Sequence, residues 1–278
     1  MTRNVPLARI IMLLLAVILA GCRDSTNPLD AAAPEGIANH EALTVFAAAS
    51  LTEAFSEIGD RFEEQHPDAR LVFNFAGSQQ LAQQLAQGAP ADVFASANQF
   101  QMQAVIDTQR VDDGTQAAFV GNKLVIIYPP DNPGYLRRPL DLSTPVVDLV
   151  LADQQVPAGR YALEFLDKAS QDDALGADYK SKVLDNVVSY EENVRAVLSK
   201  VQLGEANAGI VYLSDAASLT PLEIGTIEIP YPLNVSATYY IATINDTEKS
   251  ILAEEFITFV ASPEGQQILA DYGFLLLY

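Results

Sequence analysis

Four stretches of this chain place backbone N–H groups at the start of a helix, where no intrahelical acceptor exists for them. Ala47-Ala48-Ala49-Ser50-Leu51-Thr52-Glu53 follows a short strand, and Ser50 and Glu53 have the spacing of a capping box. Phe75-Ala76-Gly77-Ser78-Gln79-Gln80-Leu81 repeats the order of strand, small residues, serine and helix. Val156-Pro157-Ala158-Gly159-Arg160 puts a proline where a first helical residue suits it. Ser189-Tyr190-Glu191-Glu192-Asn193-Val194-Arg195 offers a second capping-box spacing at Ser189 and Glu192. A helix start carries free donors and the positive end of the macrodipole. Several of them aimed at one cleft make an anion site that needs no lysine or arginine. Taken singly, each serine is an ordinary helix cap. Arg160 and Arg195, close behind two of the motifs, read as surface charges on first helical turns.

The elements that must position these motifs follow from periodicity. Leu43 to Phe46 reads as a buried strand, and Leu51, Phe55, Ile58 and Phe62 then recur on one helical face. Leu71 to Phe75 is a second strand, followed by a helix through Leu81 and Leu85 that ends at Gly88. Asp92 to Ala95 is a third strand. This β-α-β-α-β series predicts a parallel sheet. A second series holds strands at Lys123–Tyr128 and Val146–Ala152, a helix from Pro157, a helix through Val194, Val197, Leu198 and Val201, and a strand at Ala208–Tyr212. The chain then returns through Ala237–Ile244 and a helix with Phe256, Phe259 and Val260. Two α/β series with a C-terminal return predict two lobes joined by crossing strands.

Charge and the N-terminal residues narrow the class. The formal net charge is −20, and removal of a leader carrying Arg3 and Arg9 would deepen it. Nucleic acid is excluded as a partner, because phosphate binding needs a basic surface. An anionic ligand must therefore be held by local dipoles against the field of the whole molecule. Residues 1–21 have a basic start and the apolar run Ile10–Ala20, which is shorter than a membrane span. The run ends Leu19-Ala20-Gly21-Cys22, which resembles a lipobox and makes Cys22, the single cysteine, a lipid-attachment site. Residues 22–41 read as a flexible tether.

Catalysis finds no foothold. The two histidines, His40 and His66, lack a partner at metal-ligand spacing, and no nucleophile elbow, P-loop or dinucleotide fingerprint appears. Asp92 and Asp215 read as strand-end or turn residues. The chain is expected not to be an enzyme and to carry no cofactor.

Taken in order, the motif blocks resemble the molybdate-binding periplasmic proteins. The resemblance runs from Val45-Phe46-Ala47-Ala48-Ala49-Ser50-Leu51 through Gly88-Ala89-Pro90-Ala91-Asp92-Val93-Phe94-Ala95 and Gly209-Ile210-Val211-Tyr212-Leu213-Ser214-Asp215-Ala216 to Ser262-Pro263-Glu264-Gly265-Gln266 and Tyr272-Gly273-Phe274. It implies an α/β, two-lobed, periplasmic-binding-protein-like fold of type II, each lobe a mixed sheet flanked by helices, with ligand in the interlobe cleft. Lobe I would comprise residues 42–122 and 236–278, and lobe II residues 123–235. It implies an oxyanion site in which Ser50 and Ser78 give hydroxyl and N–H groups, Ala158 and Val194 give N–H groups, and Tyr212 gives its phenol. Gly77 stands where some relatives have serine, and Asn193 where some have aspartate. The implied partners are an ABC permease with its ATPase and a membrane reached through Cys22, with the binding protein itself a monomer outside the cytoplasm.

The residue types suit such a ligand. Molybdate and tungstate are dianions that offer only acceptors, and the five positions include no carboxylate to welcome a protonated anion such as phosphate. Roughly seven donors at about 1.5–3 kcal/mol each give about 10–20 kcal/mol against an association cost of about 4–15 kcal/mol. Sulfate, ferric complexes or a small organic anion in the same fold remain the alternative, as does a ligand-sensing subunit without transport.

Overall fold

The computed structural model describes residues 41–217 and 219–277. The leader, Cys22, the tether up to His40 and the terminal Tyr278 lie outside the described residues. Nine strands and nine helices follow among those described. They are β1 (Glu41–Ala48), α1 (Thr52–Gln65), β2 (Ala69–Ala76), α2 (Ser78–Ala86), β3 (Val93–Ser96), α3 (Gln99–Asp107) and β4 (Ala117–Tyr128). Then come β5 (Leu149–Ala152), α4 (Pro157–Ala169), α5 (Tyr179–Asp185), β6 (Val187–Glu191), α6 (Val194–Gln202), β7 (Ala208–Tyr212) and α7 (Leu213–Ala217). The chain closes with β8 (Gly225–Glu228), β9 (Ser236–Thr243), α8 (Ser250–Ala261) and α9 (Pro263–Asp271).

The strands run in the order β2-β1-β3-β9-β4-β7-β5-β6, with β8 also on β4. β1 pairs parallel with β2 and β3, as the first β-α series predicts. β9 enters antiparallel beside β3 and makes the sheet mixed. Both faces of this half are covered. Leu43, Val45 and Ala47 of β1 face one core, where Phe55 and Phe62 of α1 meet Phe256 of α8 edge-on. Phe46 faces a second core built on Leu81 and Leu85 of α2 and Met102 and Val105 of α3. Alternate residues of a strand bury on opposite sides, so β1 reads as a nearly continuous apolar run.

β4 joins the halves. Its first part, through Lys123, pairs with β9, whereas Leu124 to Tyr128 pair with β7 and β8. At the changeover the Asn234 side chain accepts from Leu124 N–H at 3.0 Å and donates to Leu124 C=O at 2.9 Å. The second crossing segment is thereby tied to the first.

Three local expectations are corrected. Ser50 caps nothing: it lies in a 3-10 turn, Ala49–Leu51, and its hydroxyl bonds elsewhere. Ser189 lies within edge strand β6, with its Oγ on Glu191, and Asn193 caps α6 instead, accepting from Ala196 N–H at 3.0 Å. The strand expected from Lys123 begins six residues earlier, at Ala117. Pro157 does open α4, and Gly88 lies beyond the end of α2 with φ +86°.

Candidate functional site

Every element that brings a predicted site residue ends at one point. The turn after β1 carries Ser50, and Ser78 is the first residue of α2. Ala158 is the second residue of α4 and Val194 the first of α6, so their N–H groups have no intrahelical acceptor. Tyr212 is the last residue of β7. All five line one cavity with Ala48, Ala49, Gly77, Ala97, Val156, Pro157 and Asn193. None of the five is more than 4 % exposed. The cavity volume is about 10 Å³, far below the roughly 300–1,000 Å³ of an organic-ligand pocket. A larger, open groove runs alongside between α2, α3 and α4, without these N-termini.

The cavity is lined by no lysine, arginine, aspartate or glutamate. Its hydroxyls and helix-start N–H groups can all donate, and the hydroxyls are held from behind. Ser78 Oγ accepts from Ala97 N–H at 3.0 Å, which leaves its own proton uncommitted. Ser50 Oγ lies 2.8 Å from Tyr239 Oη. Tyr212 Oη is buried without any hydrogen-bond partner. Such an atom costs about 1–3 kcal/mol unless something fills the space before it. Its ring is held edge-on between Tyr161 and Tyr239, with centroids at 6.4 and 5.8 Å. Burial pushes the Tyr212 phenol well above the ordinary tyrosine range, so it stays a donor.

Around the cavity the halves are bonded to each other, through residues that spacing did not reveal. Gln79 Nε2 donates to Glu192 C=O at 2.8 Å, and Gln80 Nε2 to the Glu192 carboxylate at 3.0 Å. Gln101 Nε2 donates to Gln155 C=O at 3.1 Å. Arg195 of α6 pairs with Glu53 of α1, and its other nitrogen lies 3.8 Å from buried Asp215. Arg160 stacks 3.9 Å over the Phe100 ring. Arg195 is thus more than a surface charge, whereas Arg160 is exposed on the first turn of α4, as read, and reaches the other half through Phe100. They remain outside the cavity lining, as expected. Asp92 accepts from Thr44 N–H, Thr247 and Lys249 and ties strand ends together. Asp215 accepts from Tyr212 N–H at 3.1 Å and holds the corner between β7 and α7. Among the described residues no cluster of three His, Cys, Asp or Glu side chains is placed to hold a metal ion.

A small, donor-lined chamber shut between two α/β halves defines a solute-binding protein of the two-lobed, type II periplasmic kind. The chain belongs to the bacterial extracellular solute-binding protein family, whose model matches residues 43–275. It is 36 % identical over 260 residues to the molybdate-binding protein ModA of Mycobacterium tuberculosis, covering 93 % of this chain and 94 % of that one. It is 29 % identical over 258 residues to a putative ABC transporter substrate-binding lipoprotein of Bacillus subtilis, covering 93 % of each. Among solved structures it matches the substrate-binding domain of a putative molybdenum ABC transporter from Clostridium difficile. That match has a TM-score of 0.63 and 31 % identity, over 85 % of this chain and 99 % of that one. No helix among the described residues is long and apolar enough to cross a membrane.

Proposed function

We propose that this chain captures molybdate or tungstate outside the cytoplasm and delivers it to an ABC permease driven by its ATPase. The ligand sits in the chamber, on the hydroxyls of Ser50, Ser78 and Tyr212 and the N–H groups of Ser50, Ser78, Ala158 and Val194. One observation carries this reading: a fully buried phenol, Tyr212, lacks a partner inside a cavity whose lining is free of charged side chains. A tetrahedral dianion offers the acceptors that this donor set is missing. The names of the relatives at 36 % and 31 % identity support the same ligand class.

In this reading the protein is a monomeric carrier without catalytic activity or cofactor. The chain change on β4 at Lys123 and Leu124 is the hinge, and it divides lobe I (residues 42–122 and 236–278) from lobe II (residues 123–235). Closure places Val194 and Ala158 over Ser50 and Ser78, and ligand stabilises the closed form by contacts that the open form lacks. Cys22 carries the lipid that tethers the folded part to the membrane, a reading supported by the name of the B. subtilis relative.

Calorimetric titration with molybdate, tungstate, sulfate and phosphate tests the assignment. Molybdate and tungstate are expected to bind with sub-micromolar affinity, and sulfate at least about 100-fold, or about 2.7 kcal/mol, more weakly. Equal or tighter binding of sulfate or phosphate would refute it. Cys22→Ala is expected to release the protein from the membrane fraction of cells, and retention would refute the anchor.

A further inference from the structure

Ser50 and Tyr239 face each other at 2.8 Å, and either oxygen can donate in that pair. The choice decides what Ser50 offers a ligand. If Ser50 gives its proton to Tyr239, only lone pairs turn toward the chamber. If Tyr239 donates, the Ser50 proton stays free for an acceptor.

Asn122 resolves the choice. The backbone N–H of Lys123 can only donate, and it meets the Asn122 side chain at 2.9 Å. That side-chain atom is therefore the carbonyl oxygen, which fixes the amide nitrogen on the other side. The nitrogen reaches Ser214 Oγ at 2.8 Å and Tyr239 Oη at 3.4 Å. An amide NH₂ has two protons to give and accepts nothing. Tyr239 accepts there, and since Ser50 Oγ is the one other hydrogen-bond partner of its oxygen among the described residues, its single proton goes to Ser50. Asn122, Tyr239, Ser50 and Ser214 are all buried, so water does not compete for these bonds. Burial also keeps the Tyr239 phenol protonated, pushing it well above the ordinary tyrosine range.

We propose that Asn122 and Tyr239 are positioning residues that commit Ser50 to donating into the chamber, and that this polarity discriminates acceptor-only oxyanions from protonated ones. The inference rests on the placement of the oxyanion at Ser50. The wire runs from the Lys123 amide through Asn122 and Tyr239 to Ser50, and it is assembled where β4 and β9 pair beside the interlobe crossing.

Asn122→Asp tests the direction of the wire. One carboxylate oxygen still accepts from Lys123 N–H, while the other can only accept from Tyr239. Tyr239 then takes the Ser50 proton, and Ser50 presents lone pairs to the chamber. Molybdate binding should weaken while hydrogenphosphate binding is spared or improved. The ratio of the two affinities, measured by calorimetry in mildly alkaline buffer, is expected to fall at least about tenfold. The added negative charge repels both dianions alike and cancels in that ratio. Sulfate, which also lacks a proton, should follow molybdate. In a Ser50→Ala background the Asn122→Asp change should leave the ratio unmoved.

Equal weakening of molybdate and phosphate in Asn122→Asp would overturn the proposal and leave Asn122 a purely structural role. If that variant does not fold, Tyr239→Phe serves, since it removes only the relay oxygen; an unchanged ratio there overturns the proposal too. A wild-type chain that binds neither molybdate nor tungstate would remove the reading beneath it as well.

Discussion

Arg195, the residue after Val194 on α6, is ion-paired with Glu53, three residues beyond Ser50. The pair joins one half of the molecule to the other beside the chamber. Its side chains are 30 % and 34 % exposed, so solvent screens the attraction. In the proposed opening and closing of the cleft, this contact adds to the closed form alone. Glu53→Gln is expected to weaken ligand binding by about three- to tenfold through a smaller closed fraction, with most of the change in the release rate. Stopped-flow release kinetics check this, and an unaltered off-rate would contradict it.

Gly77 is explained by the same closure. A Cβ there would come within 2.7 Å of the Glu192 carbonyl oxygen across the cleft and within 2.5 Å of the Gln79 side chain. Its φ of −59° is open to any residue, so the constraint is contact rather than backbone conformation. Gly77→Ala should prop the halves apart and cost about tenfold or more in affinity, or about 1.4 kcal/mol. The ligand-free protein should lose no thermal stability, because Ala at a compatible position restricts the unfolded chain. Melting curves and calorimetry on the same samples separate the two effects.

Tyr212 and Ser78 should respond oppositely in folding and alike in binding. Tyr212→Phe deletes an unpartnered buried oxygen, so ligand-free stability should hold or rise, while binding falls by about 1.5–3 kcal/mol. Ser78→Ala removes the acceptor of Ala97 N–H and should weaken both. Ser50→Ala should weaken binding by the same order as Tyr212→Phe. A Tyr212→Phe protein that unfolds more easily yet binds normally would assign the phenol a structural role.

Asp215 gives stability a pH dependence. Burial is the largest influence on it and raises its carboxyl from 3.8 to about 7, against the lowering pull of Arg195 and the Tyr212 N–H. Between those two values the folded protein keeps a proton that the unfolded chain has lost. The group's contribution therefore declines as pH rises through that window, by at most about 1.4 kcal/mol per pH unit. Above about 7 the penalty is constant. Asp215→Asn can still accept from Tyr212 N–H and should remove this slope. Unfolding free energies of the two proteins across the window are expected to diverge in favour of the variant as pH rises, and parallel curves would contradict the assignment.

The first β-α-β-α-β series was legible because β1 and β3 are largely buried, β2 opens with buried and exposed residues in alternation, and the helices carry regular apolar spacings that end at Gly88. β6 was not, because Val188 and Tyr190 point outward on an edge strand and leave no apolar alternation to read. α3 begins with a half-exposed Phe100, and its cap, Asn98, lacks a flanking apolar stripe as clear as those of α1 or α6. The helix starts at Ser78 and Ala158 could be read from small residues, proline and serine at strand-to-helix junctions, whereas the start at Val194 lay several residues beyond the serine whose spacing suggested it. What stands behind them could not. Ser50 and Tyr239 are 189 positions apart, and Glu53 and Arg195 are 142 apart. Only the folded sheet brings those pairs together.

A crystal structure of the protein with tungstate, located by its anomalous scattering, tests the central claim most directly. The ion is expected in the chamber, with oxygens within about 2.7–3.2 Å of the Ser50, Ser78 and Tyr212 hydroxyls and the N–H groups of Ala158 and Val194, and with no cationic side chain touching it. Tungstate held by lysine or arginine, or found anywhere else while the chamber stays empty, would contradict the account.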